Sequence, residues 1–205
     1  MCFYLFGLEG HLFSEKEHKM EEKKLTKTEK HIRYNNMINR CYNEVWQEEW
    51  GQRYKDTTVC EEWLNDKYNT FFTWVDNNYY TVGDEQMDLD HNIMQYGSNV
   101  YSPDTCIFAP HKINTLYESL EVGDTNITYN SRKNTFSVKV YDEGEFIIQH
   151  GFLTYNEALD CYCAIKEAII ADKADELKGK IPERLYNRMI NTDVKLINAP
   201  HYYTA

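Results

Sequence analysis

Groups able to do chemistry gather in two places along this chain. Asp90-His91 sets a carboxylate beside an imidazole, and His111 and Asn114 follow, three residues apart and so on one face of any helix there. Carboxylate, imidazole and amide are the groups that move protons and hold divalent metals near neutral pH. The second place spans residues 132–149, where Arg132, Lys133, Lys139, Tyr141 and Gln149 offer cations for phosphate, a ring for stacking and an amide. The six cysteines (Cys2, Cys41, Cys60, Cys106, Cys161 and Cys163) show neither C-x-x-C nor zinc-finger spacing, so they read as reduced thiols. His11, His18, His31, His150 and His201 stand outside any motif.

Elements must position these groups. Residues 14–30, dense in Glu and Lys, read as an exposed helix or solvated linker. Ile32, Met37, Cys41, Val45 and Trp46 fall at helical spacing, and Trp63, Leu64, Phe71, Phe72, Trp74 and Val75 recur at near-helical intervals between Val59 and Tyr80, as a core stripe. Between Met87 and Leu120 the pattern is strand, loop, a short strand at Ile107-Phe108, and a helix from Lys112. Beyond it the signals are sharper. Ile127–Tyr129 is a strand; Phe136, Val138 and Val140 alternate with Ser137, Lys139 and Tyr141; Asp142-Glu143-Gly144 is a hairpin turn; Phe146–Gln149 returns. Thr154-x-x-Glu157 is a capping box opening a helix whose stripe is Ala158, Tyr162, Ile165 and Ile169. A last helix starts at Pro182, with Leu185, Met189 and Tyr186 inward. Phe136, Val138, Val140, Tyr162, Ile165 and Ile169 are expected to form one core. The other sheet face, assigned Arg132, Ser137, Lys139, Tyr141 and Gln149, is left for solvent or a partner.

Charge limits the partners. The net charge is −11, and residues 31–120 hold fourteen acids against six bases, which makes that half a poor phosphate binder. Hydrophobic residues make up 42%, enough for a modest core and too few for a membrane protein. Met1–Leu8 is apolar but too short to span a bilayer and lacks a basic flank, so it reads as a strand or packed arm. No membrane partner is expected. With no targeting signal in view, the expected location is the cytoplasm of a host cell.

Two stretches carry a family likeness. Met37-Ile-Asn-Arg-Cys-Tyr42, Val59-Cys-Glu-Glu-Trp-Leu-Asn65, Phe72-x-Trp74, Asn78-Tyr79, Leu89-Asp90-His91, Tyr101-Ser-Pro-Asp-Thr-Cys106 and Ile113-Asn114 together resemble phage-encoded HNH homing endonucleases. Residues 134–178 look like the Apetala/ethylene-response-factor DNA-binding domain often attached to them. The resemblance covers about residues 31–195 and implies an α+β chain. Its parts are an N-terminal arm or linker (1–30), a degenerate HNH-like ββα-metal domain (31–120), an Apetala-type three-stranded antiparallel sheet with a packed helix (121–195), and a tail (196–205). It also implies roles: His91 as general base, Asp90 and Asn114 as ligands of a divalent ion (magnesium or manganese), His111 as a substitute ligand, and the sheet face as the surface that reads DNA. Thr105 stands where the family has a structural Asn, and Asn92 where relatives often carry an acid.

These departures rank the readings. First is a phage-type nucleic-acid-binding protein, directed to DNA or RNA, descended from an HNH endonuclease with catalysis weakened or lost. Second is an active metal-dependent DNA endonuclease. Third is an anti-defence inhibitor whose acidic surface meets the basic channel of a host nucleoprotein complex.

Overall fold

The computed structural model describes residues 23–50, 54–66 and 68–203. Met1–Leu8, Cys2 and the first part of the Glu/Lys-rich stretch lie outside the described residues. The rest of that stretch enters a helix. Thr26 Oγ1 accepts the Glu29 N–H (3.3 Å) while Glu29 Oε2 accepts the Thr26 N–H (2.7 Å), a capping box that starts α1 (Lys27–Tyr42). The expected boundary at residue 30 therefore moves upstream to Thr26. Met37 and Cys41, one turn apart, are buried, whereas Ile32 and Val45 are exposed: Asn43 breaks the helix, and α2 (Glu44–Trp50) restarts with a different face inward.

The stretch from Val59 to Tyr80 is not one element. It holds β1 (Thr58–Val59), α3 (Glu61–Asn65) and α4 (Asn69–Asn78), with Tyr68 in the left-handed region (φ 74°) before α4. The aromatic stripe is core, as expected. Trp63 meets Phe71 edge-on at 5.0 Å and Trp74 at 5.2 Å, and Trp74 reaches Phe108 at 5.5 Å. Through these rings the helices hold a small ribbon. β2 (Met87–Asp90) pairs antiparallel with β4 (Ile107–Pro110), while β3 (Val100–Tyr101) pairs parallel with β1. α5 (His111–Glu118) leaves β4 directly and packs on the ribbon. The strand–loop–strand–helix run thus forms as the sequence suggested.

The second half is a meander, β5 (Ile127–Asn130), β6 (Thr135–Asp142) and β7 (Glu145–Phe152), with α6 (Tyr155–Leu177) across one face. The chain is therefore α+β with a three-stranded antiparallel sheet. The Thr154–Glu157 capping box opens α6. Val138, Val140, Tyr162 and Ile169 are buried, and Phe136 and Ile165 pack partly buried against them, so the six residues share one core. α6 also buries a second side, with Leu159, Cys163 and Ile170, under α7 (Glu183–Ile190) and α8 (Val194–Ile197).

The tail beginning at residue 196 packs against the rest of the chain through Asn198. Asn198 is fully buried; its Oδ1 accepts the Val122 N–H (2.8 Å) and its Nδ2 donates to the carbonyls of Leu120 (3.0 Å) and Val194 (2.9 Å). One side chain so clamps the connection between the halves to the C-terminal helices. The Tyr162 hydroxyl lies within hydrogen-bond distance of the Ser119 and Glu121 carbonyls, and Arg188 Nε donates to the Ile93 carbonyl (2.6 Å). A single hydrophobic cluster runs through both halves. Among the described residues no helix is long and apolar enough to cross a membrane.

Removing the Asn198 amide takes the partner from the Val122 N–H and the Leu120 carbonyl, while the Val194 carbonyl keeps the Asn198 backbone N–H. Asn198→Ala should cost about 2–3 kcal/mol, since each orphaned group carries a desolvation penalty. Leu196→Ala, an exposed neighbour, should stay within about 0.5 kcal/mol. Urea unfolding of both variants measures the difference.

Candidate nucleic-acid interface

Asp90 ends β2 and turns back on its own chain. Its Oδ1 accepts the N–H of Asn92 (2.6 Å) and of Ile93 (2.5 Å), closing the turn after the strand. Burial pushes the carboxyl above its ordinary value, partly countered by those two N–H groups and the Arg40 charge. His91 is enclosed, 9% exposed, with its ring stacked on Tyr101 at 4.2 Å and tilted against Tyr54 at 6.1 Å. A general base must reach a water beside a phosphate, and this imidazole is sandwiched in the core.

His111 and Asn114 do come together, but on Asp88. His111 Nδ1 lies 2.6 Å from Asp88 Oδ2, and Asn114 Nδ2 donates to the same oxygen at 3.3 Å. Asp88 precedes Asp90 by one strand repeat, so both share a ribbon face, with Asp88 nearer the start of α5. Sequence reading missed Asp88 although alternation alone pairs it with Asp90. Burial opposes its charge, but hydrogen bonds from Gln86, His111 and Asn114 and the His111 charge outweigh that and hold the carboxyl below its ordinary value. The hydrogen bond and charge of Asp88 raise His111 in turn.

The four residues assigned to a metal and its base therefore do not form one site. Asp90 is used on the backbone, His91 is stacked in the core, and Leu89 follows Asp88 where a base would have to stand. Among the described residues no three His, Cys, Asp or Glu side chains are grouped to hold a metal ion. This residue set does not fit the implied divalent ion, and no step is drawn through one. Thr105, which stands where the resembled family has a structural Asn, ties its own loop. Its hydroxyl bonds the Val100 carbonyl at 2.5 Å and accepts the Ser102 N–H at 3.1 Å.

The sheet offers a different kind of surface. Glu143 (φ 43°) and Gly144 (φ 94°) close β6–β7 in a two-residue loop, which pairs Asp142 with Glu145 and Tyr141 with Phe146. Paired residues share a face, so the outer face holds Ser137, Lys139, Tyr141, Phe146, Ile148 and His150. Gln149 is opposite Val138 and lies on the helix side, a correction to its assignment. Tyr141 is 58%, Phe146 55% and Ile148 47% exposed. Lys139 Nζ sits 3.8 Å from the Phe146 ring centroid, and His150 Nδ1 is 2.8 Å from Ser137 Oγ. Arg132 and Lys133 stand exposed in the β5–β6 turn, which Asn130 shapes by accepting both their N–H groups. The shallow depression here, about 880 Å³, runs from this turn to Ile148 and His150, with no carboxylate among its described lining. The nearby acids are turned away: Glu143 pairs with Lys173 on α6 at 2.6 Å, and alternation puts Asp142 and Glu145 on the helix side.

Comparison with protein-family models, with curated proteins and with solved structures returns no match.

The Asp88–His111 pair gives a titration with a definite sign. His111, raised by Asp88, contributes stability that is full below its unfolded-state pKa and lost as pH rises through its higher folded value. Asp88, held low, contributes above the ordinary carboxylate range and loses this as pH falls through its lowered value. Asp88→Asn should bring the His111 titration down toward an ordinary histidine, read from its imidazole NMR resonances. A His111 pKa that stays put would place the cause elsewhere.

Proposed function

We propose that this protein binds nucleic acid on the outer face of its three-stranded sheet, taking single-stranded segments, and that it does not cleave them. The observation that carries the reading is the composition of that face. On a chain of net charge −11, it gathers Lys139, the flanking Arg132 and Lys133, and three half-exposed large apolar side chains, while the neighbouring carboxylates face the helix. Cations meet the phosphates and the Tyr141 and Phe146 rings supply stacking surfaces, the combination single strands use. A duplex keeps its base faces covered, so the rings would gain little from it. The loss of catalysis is supported by the enclosed His91 and the committed Asp90. In this reading the β2–β4–α5 run is inherited from an HNH-type nuclease and now serves as scaffold.

A second reading has one observation in its favour. The acidity outside the sheet face suits a basic protein partner, such as the nucleic-acid channel of a host defence complex, and exposed Tyr141, Phe146 and Ile148 would suit its apolar rim.

Fluorescence anisotropy with labelled single-stranded and duplex oligonucleotides separates the two. The expected result is salt-sensitive binding of single strands over duplex. Tyr141→Ala with Phe146→Ala should weaken it about tenfold or more, from a stacking contribution of about 1–3 kcal/mol per base. Replacing Arg132, Lys133 and Lys139 together by Ala should flatten the salt dependence. Absence of binding to either strand form would leave the protein-directed reading standing.

Catalysis has its own assay. Supercoiled plasmid incubated with magnesium or manganese should remain un-nicked by the wild type and by His91→Ala alike. Brisk metal-dependent nicking that vanishes in the variant would overturn the non-catalytic part of the proposal.

A further inference from the structure

A small polar pocket lies in the acidic half, apart from the sheet face. Along α1, Arg33, Asn36 and Arg40 sit at the helical spacing that keeps them on one side, and together with Gln86 and Asp88 they line a polar pocket of about 260 Å³ beside β2. Both guanidinium groups lie over aromatic rings. Arg33 lies over Tyr79 at 5.3 Å and Phe108 at 5.6 Å; Arg40 lies over the Tyr54 ring at 5.5 Å. A guanidinium stacked this way keeps its N–H edges free for an acceptor in its plane. Of those N–H groups only Arg40 Nη1 has a protein acceptor among the described residues, the Tyr101 hydroxyl at 3.3 Å. Arg33 Nε is buried without any partner, and neither arginine forms a salt bridge among the described residues. Asp88, the carboxylate on the wall, is occupied by Gln86, His111 and Asn114.

Buried or stacked arginines are ordinarily matched by carboxylates, because an unpaired guanidinium edge costs desolvation without return. Here two such side chains line one small polar pocket in the half of the chain richest in acids, with Asp88 near Arg40 but no salt bridge to either arginine among the described residues. We propose that this pocket binds a phosphate group, with Arg33 and Arg40 as its charged donors and Asn36 and Gln86 as neutral ones. The same chemistry would accept a free phosphate, a terminal phosphomonoester or a backbone phosphodiester. The inference is independent of binding at the sheet face.

The test titrates inorganic phosphate into the full chain at constant ionic strength, read by calorimetry and by thermal midpoint. The expected result is saturable binding and a midpoint rise that chloride at equal ionic strength does not produce. Arg33→Gln should weaken binding about tenfold or more, the worth of a charged hydrogen bond. Because Arg33 also packs on two rings, Asn36→Asp serves as the second variant: residue 36 is exposed on α1, and a carboxylate there repels the ligand without touching the core. Competition with thymidine dinucleotides distinguishes the sources. Displacement by TpT assigns a backbone phosphodiester, and displacement only by 5′-phosphorylated pTpT assigns a free or terminal phosphate. The Arg132/Lys133/Lys139 triple Ala variant should bind phosphate as the wild type does, which separates this site from the sheet face. Phosphate acting no differently from chloride, or binding that survives Asn36→Asp unchanged in a folded protein, would overturn the proposal.

Discussion

Two consecutive residues of positive φ, Glu143 and Gly144, close the β6–β7 hairpin, and a two-residue loop admits one pairing parity. From that parity follows which side chains of β7 join Val138 and Val140 under α6 and which join Lys139 and Tyr141 outside. A slip of one residue would place Gln149 and Ile147 outside and push Phe146, Ile148 and His150 against the helix. The loop also sets the electrostatics of the face. Glu143, at the tip, reaches Lys173 on α6, and Asp142 and Glu145 follow it to the helix side. Turn chemistry, sheet register and the charge of the outer surface are thus one constraint, expressed at three scales.

The first half obeys a parallel logic with a different outcome. Asp88 and Asp90 share a face of β2, yet one meets α5 and the other meets the turn that follows the strand. Asp90 has two backbone N–H groups within reach at the strand end, where backbone donors otherwise go unpaired. Asp88 has no such donors and is met by His111 and Asn114 instead. Two acids of the same strand therefore have opposite titration behaviour, one raised by burial and the other lowered by its partners. Helix α7 then holds two loops from the second half: Arg188 bonds the Ile93 carbonyl just after His91, and Arg184 bonds the carbonyls of Pro103 and Asp104 between β3 and β4. A side chain far along the chain thereby holds the loop next to the residue that sequence reading named as base.

How much of this was legible depends on whether a feature is local. Alternation over Phe136–Tyr141, the turn, and the Thr154 capping box are local signals, and each produced its element. The strand–loop–strand–helix order between Met87 and Leu120 was legible for the same reason. What failed was parity across the turn: a three-residue turn over Asp142-Glu143-Gly144 sets Gln149 opposite Ser137, whereas the two-residue Glu143-Gly144 loop sets it opposite Val138. The Thr26–Glu29 capping box was equally local and was simply passed over within a charged run. The partners of His111 and Asn114 were not legible. Whether a helix starting at His111 leans toward Asp88 or Asp90 depends on the β2–β4 register and on the packing of Trp74 and Phe108 beneath it. The arginine pocket was hidden too, since Arg33 and Arg40 become conspicuous only when neither forms a salt bridge among the described residues.

The two surfaces proposed to take anions raise a question of charge that the net figure alone does not answer. A chain of net charge −11 repels a polyanion at long range, yet binding is decided at contact. At physiological ionic strength the Debye length is about 8 Å, so exposed acids farther than this from a bound phosphate act only weakly on it. In the proposed binding mode Lys139, Arg132 and Lys133 act within it, because a bound strand would lie directly on them. The acids therefore slow the encounter more than they weaken the complex. They also penalise any approach other than the one that lays the ligand on the cationic face, since every other orientation brings phosphates against unscreened carboxylates. On the proposed reading, the acidity that makes the chain look a poor nucleic-acid binder would serve as a device for orientation: affinity would reside in a small patch, and the rest of the surface would reject misplaced contacts.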